Sequence, residues 1–142
     1  YSGHPIGCEV ALRNLQIIEE EKLVENAATV GAYLHRRLNE TFKEHPYVGE
    51  VRGRGLIAGV QLILDKGKKA FFDPKRKIPA RVAAACYAKG LIVRPLPTVT
   101  SLALSPPLII TRAEVDEALG ILAAALDEVT SSLSAEDKIP AA

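Results

Sequence analysis

The 142-residue sequence contains no methionine and no tryptophan, and it has only two cysteines. Cys8 and Cys86 lack metal-ligand and redox spacing, which argues against a disulfide scaffold and against a metal site. We expect both to be free, buried thiols of a cytoplasmic protein. The chain begins with Tyr1, and a bulky tyrosine is a poor first residue after removal of an initiator methionine. We therefore expect the polypeptide made in the cell to be longer.

Long apolar runs and an excess of either charge are also missing. The apolar run at 121–126 falls far short of the ~20 residues that span a bilayer, and no signal-peptide pattern is present. Eighteen basic and seventeen acidic residues leave a net charge of +1, which gives no general attraction to nucleic acid or to an anionic membrane. We therefore expect neither as a partner.

Helical periodicity dominates the first 45 residues. Pro5 suits the first turn of a helix, where its missing N–H costs nothing, and Pro46 marks the end of a second helical pattern. Apolar residues recur at steps of three and four. They form a first stripe at Cys8, Ala11, Leu12, Leu15 and Ile18, and a second at Leu23, Ala27, Val30, Leu34, Leu38 and Phe42. This pattern predicts two consecutive long helices.

After Tyr47 the apolar period changes to one typical of strands, with many β-branched residues and glycines. A helix is expected from Ile78 to Lys89, where a basic last turn meets a glycine stop. A polar loop is expected at 65–77. Strands are predicted near 48–53, 57–64, 91–94 and 102–104.

Thr111 and Glu114 have the spacing of a capping box, which predicts the start of a last helix. Its apolar stripe suits either a coiled-coil seam or a helix packed on a sheet, and fewer than three heptads favour the sheet. The stripe comprises Val115, Leu119, Leu122, Leu126, Val129 and Leu133. The element order predicts an α+β fold, with two leading helices and then a small sheet of about four strands covered by helices.

Arg94 is the strongest candidate for a functional side chain. It ends the apolar segment 91–93 and precedes Pro95. A guanidinium in such a place must be paired or reach solvent, because an isolated buried charge is costly. Its planar group matches a carboxylate with two parallel hydrogen bonds. From these residues alone, binding of a substrate carboxylate and an internal salt bridge both remain open.

Four phrases of the sequence resemble the class III aminotransferases of the pyridoxal-phosphate fold-type I superfamily. The resemblance is strongest to the ω-amino-acid–pyruvate and putrescine–pyruvate enzymes, and it extends from Tyr1 to about Ser132. The phrases are YSGHP at 1–5, VRGRGL at 51–56, KGLIVR at 89–94 and LSPPLIIT at 104–111. Because their order and spacing match, the chain resembles the C-terminal portion of such an enzyme.

The resemblance implies transfer of an amino group from an ω-amino acid or amine to a keto acid such as pyruvate, with pyridoxal 5'-phosphate as cofactor. It implies that Arg94 is the mobile arginine that holds the substrate carboxylate. It places Tyr1 and Ser2 near the cofactor phosphate of the neighbouring subunit. In the family the Schiff-base lysine and the groups around the cofactor ring lie upstream of this chain. The resemblance thus implies no catalytic residue here, and a chain that is inactive alone.

We expect three parts. Residues 1–45 would be a helical segment linking a large cofactor-binding domain to a small C-terminal α+β domain at 46–133, and residues 134–142 would form a mobile tail. The implied partners are that large domain and a second subunit, in a homodimer or a tetramer. The alternative is a non-catalytic α+β binding or dimerisation module derived from such an enzyme. A third hypothesis, nucleic-acid binding through the basic loop at 66–77, is disfavoured by the neutral chain.

Overall fold

A computed structural model describes residues 2–96 and 100–138 of the chain. Short 3₁₀ turns lie at Pro74–Arg76 and Glu136–Lys138. The described helices and strands are, in chain order, α1 (Pro5–Glu20), α2 (Leu23–Phe42), β1 (Val48–Arg54), β2 (Ile57–Leu62), α3 (Ile78–Ala88), β3 (Arg94–Leu96), β4 (Ser101–Leu104) and α4 (Arg112–Ser131). The predicted α+β fold, with two leading helices and a sheet of four strands, is confirmed.

The four strands form one antiparallel sheet in the order β1-β2-β4-β3. A tight hairpin joins β1 to β2 at Gly55, whose φ of 57° is a left-handed conformation that glycine adopts without steric cost. Alternation along β2 buries Ala58, Val60 and Leu62, whereas Ile57 on the other face is 69% exposed. One face of the sheet is therefore covered, and the other is largely open.

The core lies between the covered face of the sheet and helices α2, α3 and α4. Leu38 of α2, Val82 of α3 and Leu122 of α4 are fully buried in one cluster with the strands. Burying each such aliphatic side chain contributes about 1.5–3 kcal/mol. Helix α2 thus shares the core of the sheet, and the apolar stripe of α4 faces that core rather than a coiled-coil partner. The predicted division at residue 45 stays a prediction.

Helix α1 has no buried residue. Leu12 and Leu15 of its apolar stripe are 53% and 56% exposed, so this stripe does not pack into the core. The prediction that both thiols are buried is wrong for Cys8, which is exposed, and correct for Cys86. Burial in α3 raises the pKa of the Cys86 thiol, and the nearby ammonium of Lys89 opposes this shift only in part. A helix with this much exposed apolar surface is suited to contact with further protein.

Strand β3 begins at Arg94, the residue where a strand at 91–94 was expected to end. Arg94 pairs with Ala103, so a longer strand would place Leu91 opposite Pro106, which has no N–H to donate. The Leu91 amide instead donates to the Cys86 carbonyl at 2.9 Å and closes the end of α3. The prediction of a strand at 91–93 is therefore wrong, because β4 ends at Leu104 and the chain beyond it enters Pro106 and Pro107.

The segment after β2 leaves the sheet earlier than the predicted 57–64. The Leu64 amide donates to the Ala70 carbonyl at 2.9 Å, and an isolated bridge joins Asp65 to Ala70. These bonds fold the chain back on itself, so the strand ends at Leu62. The lysines of the 66–77 loop are exposed, as expected for a solvated loop.

The start of the predicted tail is held to the domain by two ion pairs. Arg76 contacts Glu136 at 3.0 Å, and Arg81 contacts Asp137 at 3.0 Å. Residues 139–142 lie outside the described part, so the predicted mobility of 134–142 stays a prediction.

No helix within the described ranges 2–96 and 100–138 combines the length and the apolar character needed to cross a membrane. Across the same ranges, histidine, cysteine and carboxylate side chains form no group of three that could hold a metal ion.

Candidate functional site

Arg94 is the first residue of the edge strand β3, and strand pairing places it in a row across the sheet. It lies opposite Ala103 of β4, which lies opposite Gly59 of β2, which lies opposite Arg52 of β1. Residues that face each other across an antiparallel ladder project from the same side of a sheet. The open face therefore carries an arginine at each edge, with two small residues between them.

The two arginines of this row differ in their partners. Arg52 donates to Glu50 at 2.9 Å and to Gln61 at 3.4 Å. Arg94 is exposed, and among the described residues no carboxylate lies within ion-pairing distance of its guanidinium. The internal salt bridge that the sequence left open is thus not seen in this part of the chain.

A cleft of about 410 Å³ lies beside Arg94, within the range usual for small-molecule sites. We call it the Arg94 cleft. Arg94 is the sole ionisable residue among its described lining residues, and apolar surroundings strengthen the attraction between a guanidinium and an anion. One wall is the segment 91–94, the other wall is formed by 103–107 and Ile110, and the floor is formed by Leu34 of α2 and by Val115, Ala118 and Leu119 of α4.

The wall that follows β4 is tied to helix α2 by Asn26. The side-chain amide Nδ2 of Asn26 donates to the Leu108 carbonyl at 2.6 Å and to the Ile110 carbonyl at 3.1 Å. The sequence reasoning missed this residue. A signal was present, because Asn26 lies three residues after Leu23 and four before Val30, which places a polar side chain within the buried stripe of a helix.

The predicted capping box fixes the end of the same wall. The Glu114 amide donates to Thr111 Oγ1 at 3.3 Å, and the Thr111 amide donates to Glu114 Oε2 at 2.8 Å. The hydrogen bonds from the backbone and hydroxyl of Thr111 hold the pKa of the Glu114 carboxyl below its usual value. The start of α4, which supplies the floor of the cleft, is therefore set by local bonds.

A second polar cluster links α2 to α4 outside the cleft lining. The Tyr33 hydroxyl donates to Asp116 at 2.6 Å, and Arg37 Nε donates to the same carboxylate at 2.8 Å. The bond from Tyr33, followed by the bond from Arg37, holds the pKa of the Asp116 carboxyl below its usual value. These contacts secure the two helices that form the cleft floor.

Ser2 and Tyr1 were predicted to lie near a cofactor phosphate. Tyr1 lies outside the described residues, and Ser2 is exposed in the turn before α1. The N-cap residue of α1, His4, makes no side-chain cap, so N–H groups of the first turn lack a side-chain acceptor. A free helix N-terminus beside a hydroxyl fits a phosphate group. Ser2 is not among the residues lining the Arg94 cleft, so the structure does not bring Ser2 and Arg94 together.

All nine lysines of the chain lie at the surface. Lys89 Nζ contacts Glu128 at 2.8 Å, and Lys66 Nζ donates to the Lys43 carbonyl at 2.9 Å. None of the nine is among the lining residues of the Arg94 cleft. The described residues therefore include no lysine desolvated in the way that amine nucleophiles require.

Comparison with known proteins gives consistent matches. A family model described as aminotransferase class-III matches residues 1–126. The diaminobutyrate–2-oxoglutarate transaminase of Halomonas elongata is 44% identical over 142 residues, which cover 100% of this chain and 30% of that protein. The putrescine–pyruvate aminotransferase of Pseudomonas aeruginosa is 35% identical over 136 residues, which cover 95% of this chain and 29% of that protein.

Solved structures show the same relationship. A PMP-bound aminotransferase from Vibrio fluvialis matches with a TM-score of 0.86 and 36% identity, covering 93% of this chain and 28% of its own. A thermostable (S)-enantioselective omega-transaminase from Thermomicrobium roseum matches with a TM-score of 0.83 and 47% identity, covering 89% of this chain and 28% of its own. The chain thus spans about 30% of the length of the relatives it matches.

Proposed function

Because this chain belongs to the class III aminotransferases, we propose that it is the C-terminal portion of a pyridoxal-phosphate-dependent transaminase in which Arg94 binds the substrate carboxylate. The observation that carries the proposal is the position of Arg94. Arg94 is exposed, is the one ionisable residue among the described residues that line the cleft, and has no ion-pair partner among the described residues. A planar cation placed in this way matches a carboxylate with two parallel hydrogen bonds.

The proposed reaction moves an amino group from an ω-amino acid or amine to a keto acid such as pyruvate. The names of the two relatives, a putrescine–pyruvate and a diaminobutyrate–2-oxoglutarate enzyme, support an amine donor and a keto acid acceptor. Pyridoxal phosphate, when bound, supplies the electron sink for this chemistry. In this chain, Arg94 binds and orients the carboxylate beside the apolar cleft.

Ser2 and Tyr1 are proposed to lie near the phosphate of a cofactor that the neighbouring subunit holds. The uncapped start of α1 and the Ser2 hydroxyl fit that phosphate. The proposed partners are the large domain and a second subunit, in a homodimer or tetramer in the cytoplasm. The exposed apolar residues of α1, such as Ile6 and Val10, support a neighbouring protein surface there.

We propose that the 142-residue chain cannot transaminate alone, because every lysine is exposed and none lines the cleft. The test is to mix the chain with pyridoxal phosphate and to treat the mixture with borohydride. We expect no stoichiometric attachment to a single lysine. Mass spectrometry that finds one cofactor per chain on one lysine would contradict the proposal.

The role of Arg94 is tested in the complete polypeptide with Arg94→Gln. Because each charged hydrogen bond contributes about 1.5–3 kcal/mol, we expect the KM for a carboxylate-bearing donor to rise about 10- to 100-fold. The KM for a donor without a carboxylate should change little.

Arg52→Gln is the matched control for Arg94→Gln. It removes an arginine from the same row of the same sheet face, at the opposite edge, where the guanidinium pairs with Glu50. We expect it to leave both KM values close to those of the unsubstituted enzyme. Equal effects of the two variants, or no effect of Arg94→Gln, would refute the assignment.

A further inference from the structure

We propose that Asn26 is a positioning residue for the Arg94 cleft, because its side-chain amide holds the segment 105–110 in place as the wall opposite residues 91–94. The inference rests on the proposed function of Arg94. It adds a residue of α2 that no motif of the sequence singled out, and whose position in the chain is far from both walls.

The hydrogen bonds of Asn26 use the full donor capacity of its amide. Nδ2 donates to the Leu108 carbonyl at 2.6 Å and to the Ile110 carbonyl at 3.1 Å, and a primary amide has two N–H bonds to give. The acceptors are 82 and 84 residues away along the chain. The two bonds therefore join helix α2 to a segment that lies far from it in the sequence.

The segment 105–110 has few other means of keeping its position. It belongs to no helix or strand, and Pro106 and Pro107 have no N–H to donate. Within the segment, the Ile110 amide donates to the Pro107 carbonyl at 3.1 Å, which shapes a turn but does not attach it to the domain. The half-buried Ile110 packs against the core at one end of the segment, and the bonds from Asn26 supply the polar part of the attachment.

The width of the cleft at Arg94 depends on this attachment. Strand pairing joins β3 to β4 only from Arg94↔Ala103 to Leu96↔Ser101, so no strand pairing joins residues 91–93 to the wall at 105–110. If the 105–110 wall moves outward, the exposed Arg94 loses the apolar surface on that side, and its pair with a carboxylate becomes still more solvated and weaker. Loss of the Asn26 amide should therefore weaken carboxylate binding and leave the chemical step unchanged.

The test uses two substitutions in the complete polypeptide. Asn26→Asp keeps the shape but replaces the donor with an acceptor that repels both carbonyls, and Asn26→Ala removes the donor without repulsion. The control is Asn39→Asp, the same change on the same helix, where Nδ2 donates to the His35 carbonyl of α2 itself at 2.7 Å. Folding of each variant is checked by circular dichroism.

Two readouts are measured. For 4-aminobutyrate as donor we expect a KM about tenfold higher in both Asn26 variants, from the loss of one hydrogen-bonded anchor. The kcat, and the KM for 1-phenylethylamine, which has no carboxylate, should stay within about twofold of the unsubstituted enzyme. Hydrogen exchange of the backbone amides of Ile110 and Thr111, which donate to the Pro107 carbonyl and to Glu114, should be faster in both Asn26 variants and unchanged in Asn39→Asp.

The outcomes separate this proposal from the role of Arg94. If Arg94→Gln leaves the KM for 4-aminobutyrate unchanged, the role of Arg94 fails. Unchanged exchange of the Ile110 and Thr111 amides independently refutes the anchoring by Asn26. If Arg94→Gln raises that KM and the Asn26 variants do not, the positioning role alone is overturned. A general loss of activity with both donors, an equal effect of Asn39→Asp, or a failure of both Asn26 variants to fold would also overturn it.

Discussion

Replacing Gly31 by alanine would put a methyl group where α2 crosses the hairpin between β1 and β2. A Cβ at this position would lie 2.4 Å from the carbonyl carbon of Gly55 and 2.5 Å from its Cα and its oxygen. Ordinary contacts to a Cβ begin near 3.4 Å. All three obstructing atoms belong to the backbone, so relief requires the helix or the hairpin to move by roughly 1 Å.

Two effects of opposite sign decide the result. Alanine in a helix interior is about 0.8–1 kcal/mol more favourable than glycine. Overpacking a close contact costs about 1–3 kcal/mol and occasionally more, and rigid backbone neighbours favour the upper end. We therefore expect Gly31→Ala to lower the free energy of unfolding by about 2 kcal/mol.

Gly120 provides a matched control because it lies inside α4, where an added Cβ meets nothing within 4 Å. At this position only the higher helix propensity of alanine acts, and Gly120→Ala should raise the free energy of unfolding by about 1 kcal/mol. Urea unfolding followed by circular dichroism measures both changes, and the dependence of the free energy of unfolding on urea concentration should be the same in both variants. An unfolding midpoint for Gly31→Ala at or above that of the unsubstituted chain would refute the close approach of α2 to the hairpin.

Three further perturbations test the helix contacts. Hydrogen bonds from Tyr33 and then Arg37 lower the pKa of the Asp116 carboxyl. The contribution of this carboxylate to stability is therefore present above its unfolded pKa of about 4 and is lost as pH falls through the lower folded pKa. Urea unfolding midpoints measured against pH should fall less on acidification in Asp116→Asn than in the unsubstituted chain. Thr111→Ala removes the hydroxyl that caps α4 and should cost about 1 kcal/mol, whereas a thermal midpoint equal to that of the unsubstituted chain would contradict this. Lys22 has a φ of 51°, a left-handed conformation that glycine adopts without strain. Lys22→Gly should therefore raise the thermal unfolding midpoint by the equivalent of ~0.5–1 kcal/mol. A lower midpoint would contradict this prediction.

Local features were predictable because their hydrogen bonds join residues close in sequence. The helical period before residue 45 corresponds to α1 and α2, and the Thr111–Glu114 spacing corresponds to an observed capping box. The motif phrases, read together, led to the family that the comparison with known proteins then showed. Each of these signals involves residues close together in the sequence and can therefore be recognised without knowledge of the fold.

The register of the sheet was decided by tertiary structure. Whether Arg94 ends or begins its strand depends on where β4 stops, and β4 stops at Leu104, two residues before Pro106. The row that places Arg52 and Arg94 on one face depends on pairings among all four strands. A period of two predicts alternation along a strand but does not specify which residue lies opposite.

The exposure of the α1 side chains and the long-range hydrogen bonds of Asn26 could not be predicted from local sequence patterns. The stripe of α1 has the same period as that of α2, yet Cys8 is exposed and Leu38 is fully buried, because α2 packs against the sheet and α1 does not. Asn26 contacts Leu108 and Ile110 across more than eighty residues. The sequence by itself therefore determined which segments are helical, where α4 begins and which family the chain resembles. Only the tertiary structure decided which surfaces are covered and what holds the wall beside Arg94, because these depend on contacts between residues distant in the chain.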